Sequence, residues 1–321
     1  MRDATLTAPA GTADSAQALE FVWLELTNQC NLQCLHCYSE STPNSTAKNL
    51  LTETRYEAIV TEAFELGCRH IQFIGGEPTL NKSLPRLISH ARTCGYEFIE
   101  VFSNLVNLSA SLLDVFVEHR VAVATSVYAS APELHDLITQ TAGSHERTIR
   151  NIRRVLDCGL RLRVGVIAME KNKAELESTF AFLRDLGVTN IGLDHVRGFG
   201  RAQARSTCSM EELCGKCAGN VLAIGPDGVV APCIMSKYWS VGSVLNSPLR
   251  DVVSSEGLFQ TRRGIAAATA RKLGADQCYP ECAPHDPNCG PNCSPNTQCT
   301  PCAPNAGRGC DPNGWCGPTG S

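Results

Sequence analysis

The sequence is organised around one stretch, Cys30-Asn31-Leu32-Gln33-Cys34-Leu35-His36-Cys37, which follows a predicted strand at residues 21–27. Three thiols in so short a stretch cannot share one face of a helix, so the spacing predicts a loop wrapped around a bound group. Thiolates in that number suit zinc or an iron–sulfur cluster. Structural zinc takes four ligands, usually as two well-separated Cys-x2-Cys pairs. The C-x3-C-x2-C spacing therefore favours a [4Fe–4S] cluster with one iron open to a small molecule.

A second motif, Gly75-Gly76-Glu77-Pro78-Thr79, follows another apolar strand at residues 70–74. In this pairing of motifs the chain resembles the radical S-adenosylmethionine (SAM) enzymes, which combine C-x3-C-x2-C with a GGEP segment after the second strand. The resemblance implies that Cys30, Cys34 and Cys37 hold the cluster and that its open iron chelates SAM. It also implies reductive cleavage of SAM to a 5′-deoxyadenosyl radical, which takes a hydrogen atom from the substrate.

Composition narrows the class of protein. The 321 residues are 43% hydrophobic and 19% charged, with a formal net charge of −4 and no Lys/Arg cluster, which argues against a nucleic-acid surface. No apolar run approaches a membrane span, and residues 1–20 read as a disordered lead-in without a signal peptide. Eighteen cysteines in a chain without an export signal indicate metal ligands in a reducing cytoplasm rather than disulfides.

Strands and helices alternate six times between residues 21 and 202. Such alternation predicts a parallel α/β sheet, and six units match the partial (β/α)6 TIM-like barrel of the family. The predicted strands are residues 21–27, 70–75, 98–104, 121–128, 160–169 and 190–196. The predicted helices are residues 52–66, 83–94, 109–119, 145–157 and 173–186. Barrel chemistry lies at the carboxyl ends of the strands, which is where both motifs fall.

Seven residues are candidate SAM contacts on this resemblance: His36, Gly75, Gly76, Glu77, Ser103, Asn104 and Ser126. His36 either lies near the adenine or faces solvent. Glu77 and the two glycines are expected at the amino group, because backbone approaches a ligand closely where no Cβ intervenes. The other three end strands and are candidates for the ribose or carboxylate.

Two further sets of polar residues stay open. Many relatives carry an arginine four residues past a His-Asp pair, facing the SAM carboxylate, but here Thr139 stands there. Three arginines are possible substitutes: Arg147, Arg150 and Arg163. The Asp194-His195 pair and Arg197 lie at the end of the sixth strand and would line the substrate side of the mouth, although a satisfied structural His–Asp pair is an equally good interpretation.

After residue 202 the pattern changes to a predicted auxiliary module at residues 203–274. Cys214-x2-Cys217-x15-Cys233 encloses a short hairpin, and with Gly228 it resembles the opening of a SPASM domain or the shorter Twitch module. Both hold an auxiliary [4Fe–4S] cluster, and a zinc knuckle is the alternative. Residues 275–321 form a Cys- and Pro-rich tail with eight cysteines. This tail supplies a fourth ligand, holds its own metal, or is linked by disulfides.

The lone thiols differ from these sets. Cys68, Cys94 and Cys158 are expected to be small buried hydrophobes beside helix ends, and Cys208 stays unassigned.

The resemblance implies that a 5′-deoxyadenosyl radical is formed, but it does not identify the substrate. Maturation of a ribosomally synthesised peptide is favoured by the SPASM-like module, with a small-molecule reaction on a sugar, nucleoside or amino acid as the alternative. A non-catalytic metal-binding scaffold is the remote third reading. A flavodoxin- or ferredoxin-type electron donor is expected. Since no large leader-binding domain precedes the barrel, a separate leader-peptide-binding protein is a further expected partner.

Overall fold

The computed structural model describes residues 19–203 and 208–273. The predicted lead-in up to residue 18 and the Cys/Pro-rich tail from residue 274 lie outside these residues. The described chain is built on one nine-stranded sheet in the order β6-β5-β4-β3-β2-β1-β7-β8-β9. Neighbours from β6 to β7 pair in parallel, which confirms the predicted α/β class.

The first six strands are β1 (Phe21–Glu25), β2 (His70–Ile74), β3 (Phe98–Phe102), β4 (Ala122–Ser126), β5 (Leu162–Ala168) and β6 (Asn190–His195). The helices between them are α1 (Glu53–Glu65), α2 (Leu84–Cys94), α3 (Ala110–Glu118), α4 (Pro132–Thr139), α5 (Ser144–Asp157) and α6 (Leu176–Asp185). The remaining elements are β7 (Val221–Ile224), β8 (Val229–Ala231), β9 (Gly242–Ser243), α7 (Leu249–Val253) and α8 (Glu256–Leu273). The observed strands of the barrel are shorter than the predicted ones, because apolar residues continue into the loops.

Helix α4 has no counterpart among the predicted helices. It begins with Pro132, whose ring suits the first turn, and it ends at Gln140 in a left-handed conformation. Its eight residues fill the connection between β4 and α5, which the sequence pattern leaves unassigned. The helix matters because it ends directly beside the cysteine loop.

The hairpin of the auxiliary module continues the barrel sheet. β7 lies parallel to β1 with Phe21 opposite Val221 and Leu24 opposite Ile224, and β8 turns back antiparallel to β7. The sequence predicts the hairpin but does not predict its place. Cys217 and Cys233, which flank the hairpin, are thereby brought against Phe21 and Trp23 on the inner face of the sheet.

The central strand β1 supplies two cores, because successive side chains of a strand point to opposite faces. Val22 and Leu24 pack with the helices in the main core. Phe21 and Trp23 pack with Phe199 in a second core on the inner face of the sheet, which also includes Cys217 and Cys233. All four β1 side chains are buried. The inner core therefore joins the barrel to the auxiliary module through apolar contact.

The lone thiols follow the expectation only in part. Cys68 is buried in the main core, whereas Cys94 is half-buried within hydrogen-bonding distance of Thr61 and His90. Cys158 is exposed, so its prediction as a buried hydrophobe is wrong. It ends α5 at the surface, where the helix meets solvent rather than the core. No helix of the described segments is long and apolar enough to cross a membrane.

Glu25, at the end of β1, predicts a pH dependence of stability. Burial raises its pKa to about 7 against the lowering effect of the Tyr38 hydroxyl, which donates to Oε1 at 3.2 Å. The unfolded chain releases this proton near pH 4.5, so the folded state binds more protons between the two values and stability falls as pH rises. The free energy of unfolding should therefore fall by up to about 3 kcal/mol as the pH rises, and we expect Glu25→Gln to abolish this fall. Urea unfolding at pH 5 and 8 measures the difference.

The surface variant Glu170→Gln is the control for Glu25→Gln. Glu170 is exposed and pairs with Lys173 at the surface. The free energy of unfolding of the Glu170→Gln variant should therefore change with pH as that of the wild type does. Equal slopes for Glu25→Gln and the wild type would contradict the prediction.

Candidate functional site

A cavity of about 260 Å³ lies at the carboxyl ends of the barrel strands. Both cysteine sets line it: Cys30, Cys34, Cys37, Cys214, Cys217 and Cys233. Five of the seven candidate SAM contacts line it as well: His36, Gly75, Gly76, Asn104 and Ser126. Positions far apart in the sequence therefore meet around one space, whereas the side chains of Glu77 and Ser103 turn away from it.

The cysteine loop surrounds its thiols with hydrogen-bond donors. Leu32 N donates to Cys30 Sγ at 3.4 Å, and Asn104 Nδ2 approaches the same sulfur at 3.7 Å. The hydroxyl of Tyr128 favours the ionised form of Cys34 and lowers the pKa of that thiol against the raising effect of burial. Donors aimed at sulfur stabilise thiolates, which are the form that ligates metal. The donor set therefore fits a thiolate-bound cluster.

Burial makes the same thiols reluctant to ionise by themselves. It raises the pKa of both Cys30 and Cys34 to about 12, with the neighbouring thiols and Glu77 adding to the shift. Neutral thiols are then the stable form unless a positively charged group binds between them. Within the described segments, no group of three or more His, Cys, Asp or Glu side chains is arranged around a single metal ion.

Unpartnered polar atoms give a second test of fit. Three buried nitrogens around the loop lack any hydrogen-bond partner within the described chain: Asn31 Nδ2, His36 Nδ1 and Arg201 Nη2. Buried polar groups are normally paired, so such a group of orphans is typical of a ligand site. Together with the donors to sulfur, these orphans fit a polar group bound at the loop.

His36 is half-buried and lines the cavity, and its place near the adenine stays a prediction. Its ring meets Tyr128 edge-on with centroids 4.8 Å apart. Burial lowers the pKa of His36 to about 4, with a smaller contribution from Arg201. The ring is therefore neutral at physiological pH and presents an apolar face with one hydrogen-bonding edge.

Gly75 and Gly76 are required for a reason the sequence does not reveal. A Cβ on Gly76 would lie 2.1 Å from the carbonyl oxygen of Gln29, and one on Gly75 would lie 2.8 Å from that of Thr27. The two segments also exchange backbone hydrogen bonds, from Gly76 N to Thr27 O at 2.7 Å and from Glu77 N to Gln29 O at 2.9 Å. The glycines hold the GGEP segment against the start of the cysteine loop.

The carboxylate of Glu77, for which a contact with the amino group of SAM is predicted, is engaged within the chain. It is buried and accepts hydrogen bonds from the Ser103 hydroxyl at 2.7 Å, from Asn104 N at 2.8 Å and from both N and Oγ1 of Thr79. Burial raises its pKa although these bonds oppose the shift. The geometry makes Glu77 and Ser103 a brace between the ends of β2 and β3.

The arginine candidates for the SAM carboxylate separate in the structure. Arg163 lines the cavity and pairs with the buried Glu100, with 3.0 Å between Nη2 and Oε2. Arg147 donates to a backbone carbonyl, and the exposed Arg150 meets Glu146 at the surface. Neither of these two belongs to the cavity wall of the described residues.

The end of β6 presents a closed ion pair to the cavity. Arg197 Nη2 contacts both carboxylate oxygens of Asp194, at 3.0 and 2.8 Å, and Arg197 Nη1 lies 3.4 Å from Met235 Sδ. The carboxylate of Asp194 therefore pairs with Arg197 rather than with the ring of His195 as the structural alternative expects, and His195 donates its backbone N–H to Asp194.

The auxiliary cysteines lie within contact of one another. The thiol of Cys217 hydrogen-bonds with both Cys214 and Cys233. Donation from Cys217 lowers the pKa of Cys233 and raises that of Cys217 itself. The turn after the last cysteine is closed by Ser236, whose hydroxyl accepts from Cys233 N at 2.7 Å. Three convergent thiols at a turn fit a second thiolate-bound group.

Two features of the site are absent from the sequence prediction. The carboxyl end of α4 accepts the amides of the cysteine loop, from Gln33 N to Thr139 O at 3.1 Å and from Leu35 N to Ile138 O at 2.9 Å. Arg201 reaches the same loop from the opposite side, with Nε donating to Cys34 O at 2.7 Å. Gly200, in the Gly-rich bridge before Arg201, was the available signal, because a glycine permits a close approach of backbone.

The fold and the two cysteine sets define the class of this protein. The family profile described as the radical SAM superfamily matches residues 24–183, and that of the SPASM iron-sulfur cluster-binding domain matches residues 214–290. Together they match more than half of the chain, which therefore belongs to the radical SAM superfamily and carries a SPASM domain. A [4Fe–4S] cluster and SAM are the cofactors of the first domain, and the second binds iron–sulfur clusters.

Individual relatives extend this likeness. The "Probable GTP 3′,8-cyclase" of Metallosphaera sedula is 27% identical over 61% of this chain and 62% of its own length. The "Antilisterial bacteriocin subtilosin biosynthesis protein AlbA" of Bacillus subtilis is 23% identical over 79% of this chain and 64% of its own. This chain thus spans less than two thirds of the length of both relatives.

A solved structure confirms the partial-barrel fold. SuiB of Streptococcus suis, bound to its precursor peptide SuiA, superposes with a TM-score of 0.64 at 14% identity. The match covers 77% of this chain and 67% of that one. At so low an identity the likeness shows the fold alone.

Gly76→Ala tests the contact between the GGEP segment and the cysteine loop. The new Cβ meets backbone on the Gln29 side, which cannot move aside as a side chain can, so we expect a loss of about 1–3 kcal/mol in the free energy of unfolding. Gly264→Ala in α8 is the matched control, because its Cβ makes ordinary contact with Met210 and favours helix by up to about 1 kcal/mol. An unchanged urea midpoint for Gly76→Ala would contradict the close approach.

Proposed function

We propose that this protein cleaves SAM reductively and uses the resulting radical to take a hydrogen atom from a peptide substrate. When bound, the cluster and SAM supply this chemistry through one-electron reduction of the sulfonium, which yields a 5′-deoxyadenosyl radical. The observation that carries the proposal is the meeting of three buried or half-buried thiols, their donors and three orphaned nitrogens at one cavity. The protein supplies placement and exclusion of water.

Each candidate residue has a role in this proposal. Cys30, Cys34 and Cys37 ligate the SAM-binding cluster. His36 packs its neutral ring near the adenine, and the backbone of Gly75 and Gly76 meets the amino group of SAM.

The remaining polar residues divide between contact and support. Asn104 and Ser126 face the ribose and carboxylate from the cavity wall, whereas Glu77 and Ser103 act as a brace that positions Asn104. In the auxiliary module we assign Cys214, Cys217 and Cys233 to a second [4Fe–4S] cluster.

A peptide substrate is supported by the character of the cavity. Its inner wall carries apolar side chains from the barrel and from the auxiliary module: Trp23, Ile74, Phe102, Phe199, Leu213, Ile234 and Met235. Such a wall accepts an apolar or aromatic side chain without leaving polar groups unpaired. AlbA is named for the biosynthesis of a bacteriocin, and SuiB is solved with a precursor peptide, which agrees with this choice.

A nucleotide substrate is the second candidate, because several curated relatives are named as GTP 3′,8-cyclases. A triphosphate is recognised by cationic side chains that point at it. Two of the three cationic side chains on the described cavity wall are instead held by carboxylates, Arg163 by Glu100 and Arg197 by Asp194, and Lys216 is the third. This pairing favours a neutral substrate group over a triphosphate.

The proposed reaction implies partners and a compartment. Reduction of the cluster needs a low-potential donor, for which we propose a flavodoxin or ferredoxin. We also propose a separate protein that binds the leader of the peptide. Every cysteine of the described segments is a free thiol, and together with the proposed low-potential clusters this supports a reducing compartment, the cytoplasm.

The triple variant Cys30→Ala, Cys34→Ala, Cys37→Ala tests the assignment of the first cluster. The reconstituted wild type should hold about seven to eight irons per chain, and the variant should lose about four of them. It should also form no 5′-deoxyadenosine from SAM under dithionite, measured by liquid chromatography. The double variant Cys94→Ala, Cys158→Ala removes thiols away from the cavity and should keep both properties. Cleavage of SAM by the triple variant would overturn the proposal at its first step.

The choice between peptide and nucleotide is tested with the reconstituted wild type. A short peptide encoded beside this chain should stimulate 5′-deoxyadenosine formation and change in mass, whereas GTP should do neither. Mass spectrometry of the peptide and chromatography of the nucleotide measure the two outcomes. Stimulation by GTP with an unchanged peptide would favour the cyclase reaction instead.

A further inference from the structure

Arg201 joins the end of the barrel to the cysteine loop. It follows β6 by six residues and lies more than 160 positions from the loop, yet three of its nitrogens donate to carbonyls there. Nε donates to Cys34 O at 2.7 Å, Nη1 to Ser41 O at 3.1 Å and the backbone N to Cys37 O at 3.0 Å. Two of the three loop cysteines are therefore held through their own carbonyl groups.

The residue before it makes this approach possible. Gly200 adopts φ +58°, and a Cβ there would lie 2.4 Å from the carbonyl oxygens of both Cys37 and Tyr38. Any other residue would push the bridge away from the loop and withdraw Arg201 with it. The Gly200-Arg201 pair therefore packs closely against the backbone that carries the cysteine ligands.

The guanidinium also brings a charge that the described chain leaves uncompensated. Its two carbonyl contacts are neutral, and Nη2 is buried without a partner within the described residues. A cluster on three thiolates is an anion, and it becomes more negative when reduced. A buried anion needs a compensating charge, and cluster potential follows the local charge.

We propose that Arg201 is a positioning residue for the SAM-binding cluster, which holds the cysteine loop by its carbonyls and stabilises the reduced cluster by its charge. This inference rests on the proposed function, because it needs a cluster at Cys30, Cys34 and Cys37. It assigns the bridge between the barrel and the SPASM domain a part in the electron-transfer step. The planar pair of donors Nε and Nη1 fixes the position of the cysteine loop. The delocalised charge of the guanidinium raises the reduction potential of the cluster.

Two variants separate the two contributions. Arg201→Lys keeps a positive charge but loses the planar fork, whereas Arg201→Gln loses both. The probe is the reduced, cluster-loaded full chain, followed by electron paramagnetic resonance with and without SAM. The cluster whose signal changes on addition of SAM is the one with the open iron. Its redox titration and its loss to excess EDTA are then measured.

Arg201→Gln should lower the ratio of reduced to oxidised SAM-binding cluster about tenfold at a fixed potential, equivalent to about 59 mV for one electron. It should also release this cluster to EDTA several-fold faster than the wild type. Arg201→Lys should keep the wild-type potential and show only the faster release. Arg201→Gln can also lose the SAM-responsive signal completely while it keeps the auxiliary iron. This outcome equally supports the proposal, because it shows that the SAM-binding cluster alone is released.

Arg92 provides the matched control. Its guanidinium also clamps backbone carbonyls, Tyr96 O at 2.7 Å and His119 O at 2.7 Å, but on α2 and outside the cavity wall. Arg92→Gln and Arg92→Lys should therefore leave both cluster measurements at wild-type values. Wild-type potential and release rate in Arg201→Gln, or an equal shift of the auxiliary cluster, would overturn the inference. A wild-type cluster without any response to SAM would instead refute the proposed function.

Discussion

A loop that carries three metal-ligating cysteines has little regular structure of its own, so its backbone must be held by distant parts of the chain. Three such contacts converge on residues 27–41: the GGEP segment after β2, the carboxyl end of α4 and the Gly200-Arg201 pair. Each is a hydrogen bond between backbone groups or from a guanidinium to backbone, and two depend on glycines whose missing Cβ permits the approach. The site depends on this interlocking of backbones.

Strand β1, which precedes the cysteine loop, also joins the barrel to the auxiliary module. β1 sends Val22 and Leu24 into the main core and Phe21 and Trp23 into the inner core, so the strand before the cysteine loop is buried on both faces. Pairing of β7 with β1 then brings the second cysteine set to the inner face of the sheet, where it lines the same cavity as the first. Placement of one metal site is therefore coupled to placement of the other through a single strand.

Much of the fold follows from local pattern. Apolar runs of strand length, amphipathic helices and helix-ending glycines predict the six repeating units, and the observed bounds differ mainly at strand ends. The missed helix α4 is short, and its Ala131-Pro132 start resembles a turn as much as a helix. The site is predictable where spacing carries the chemistry, as for the cysteines. The surroundings of the Glu77 carboxylate are less predictable, because its hydrogen-bond donors Ser103 and Asn104 lie on a different strand end.

The sequence by itself determined the ligand spacing, the parallel α/β class and the superfamily, because these depend on residues close together in the chain. Only the tertiary structure decided what surrounds the ligands. The closed ion pair of Arg163, the backbone reason for Gly75 and Gly76, and the reach of Arg201 all join residues separated by tens to hundreds of positions. Such contacts leave no periodic trace, since a hydrogen bond to a carbonyl does not depend on the side chain that the accepting residue carries.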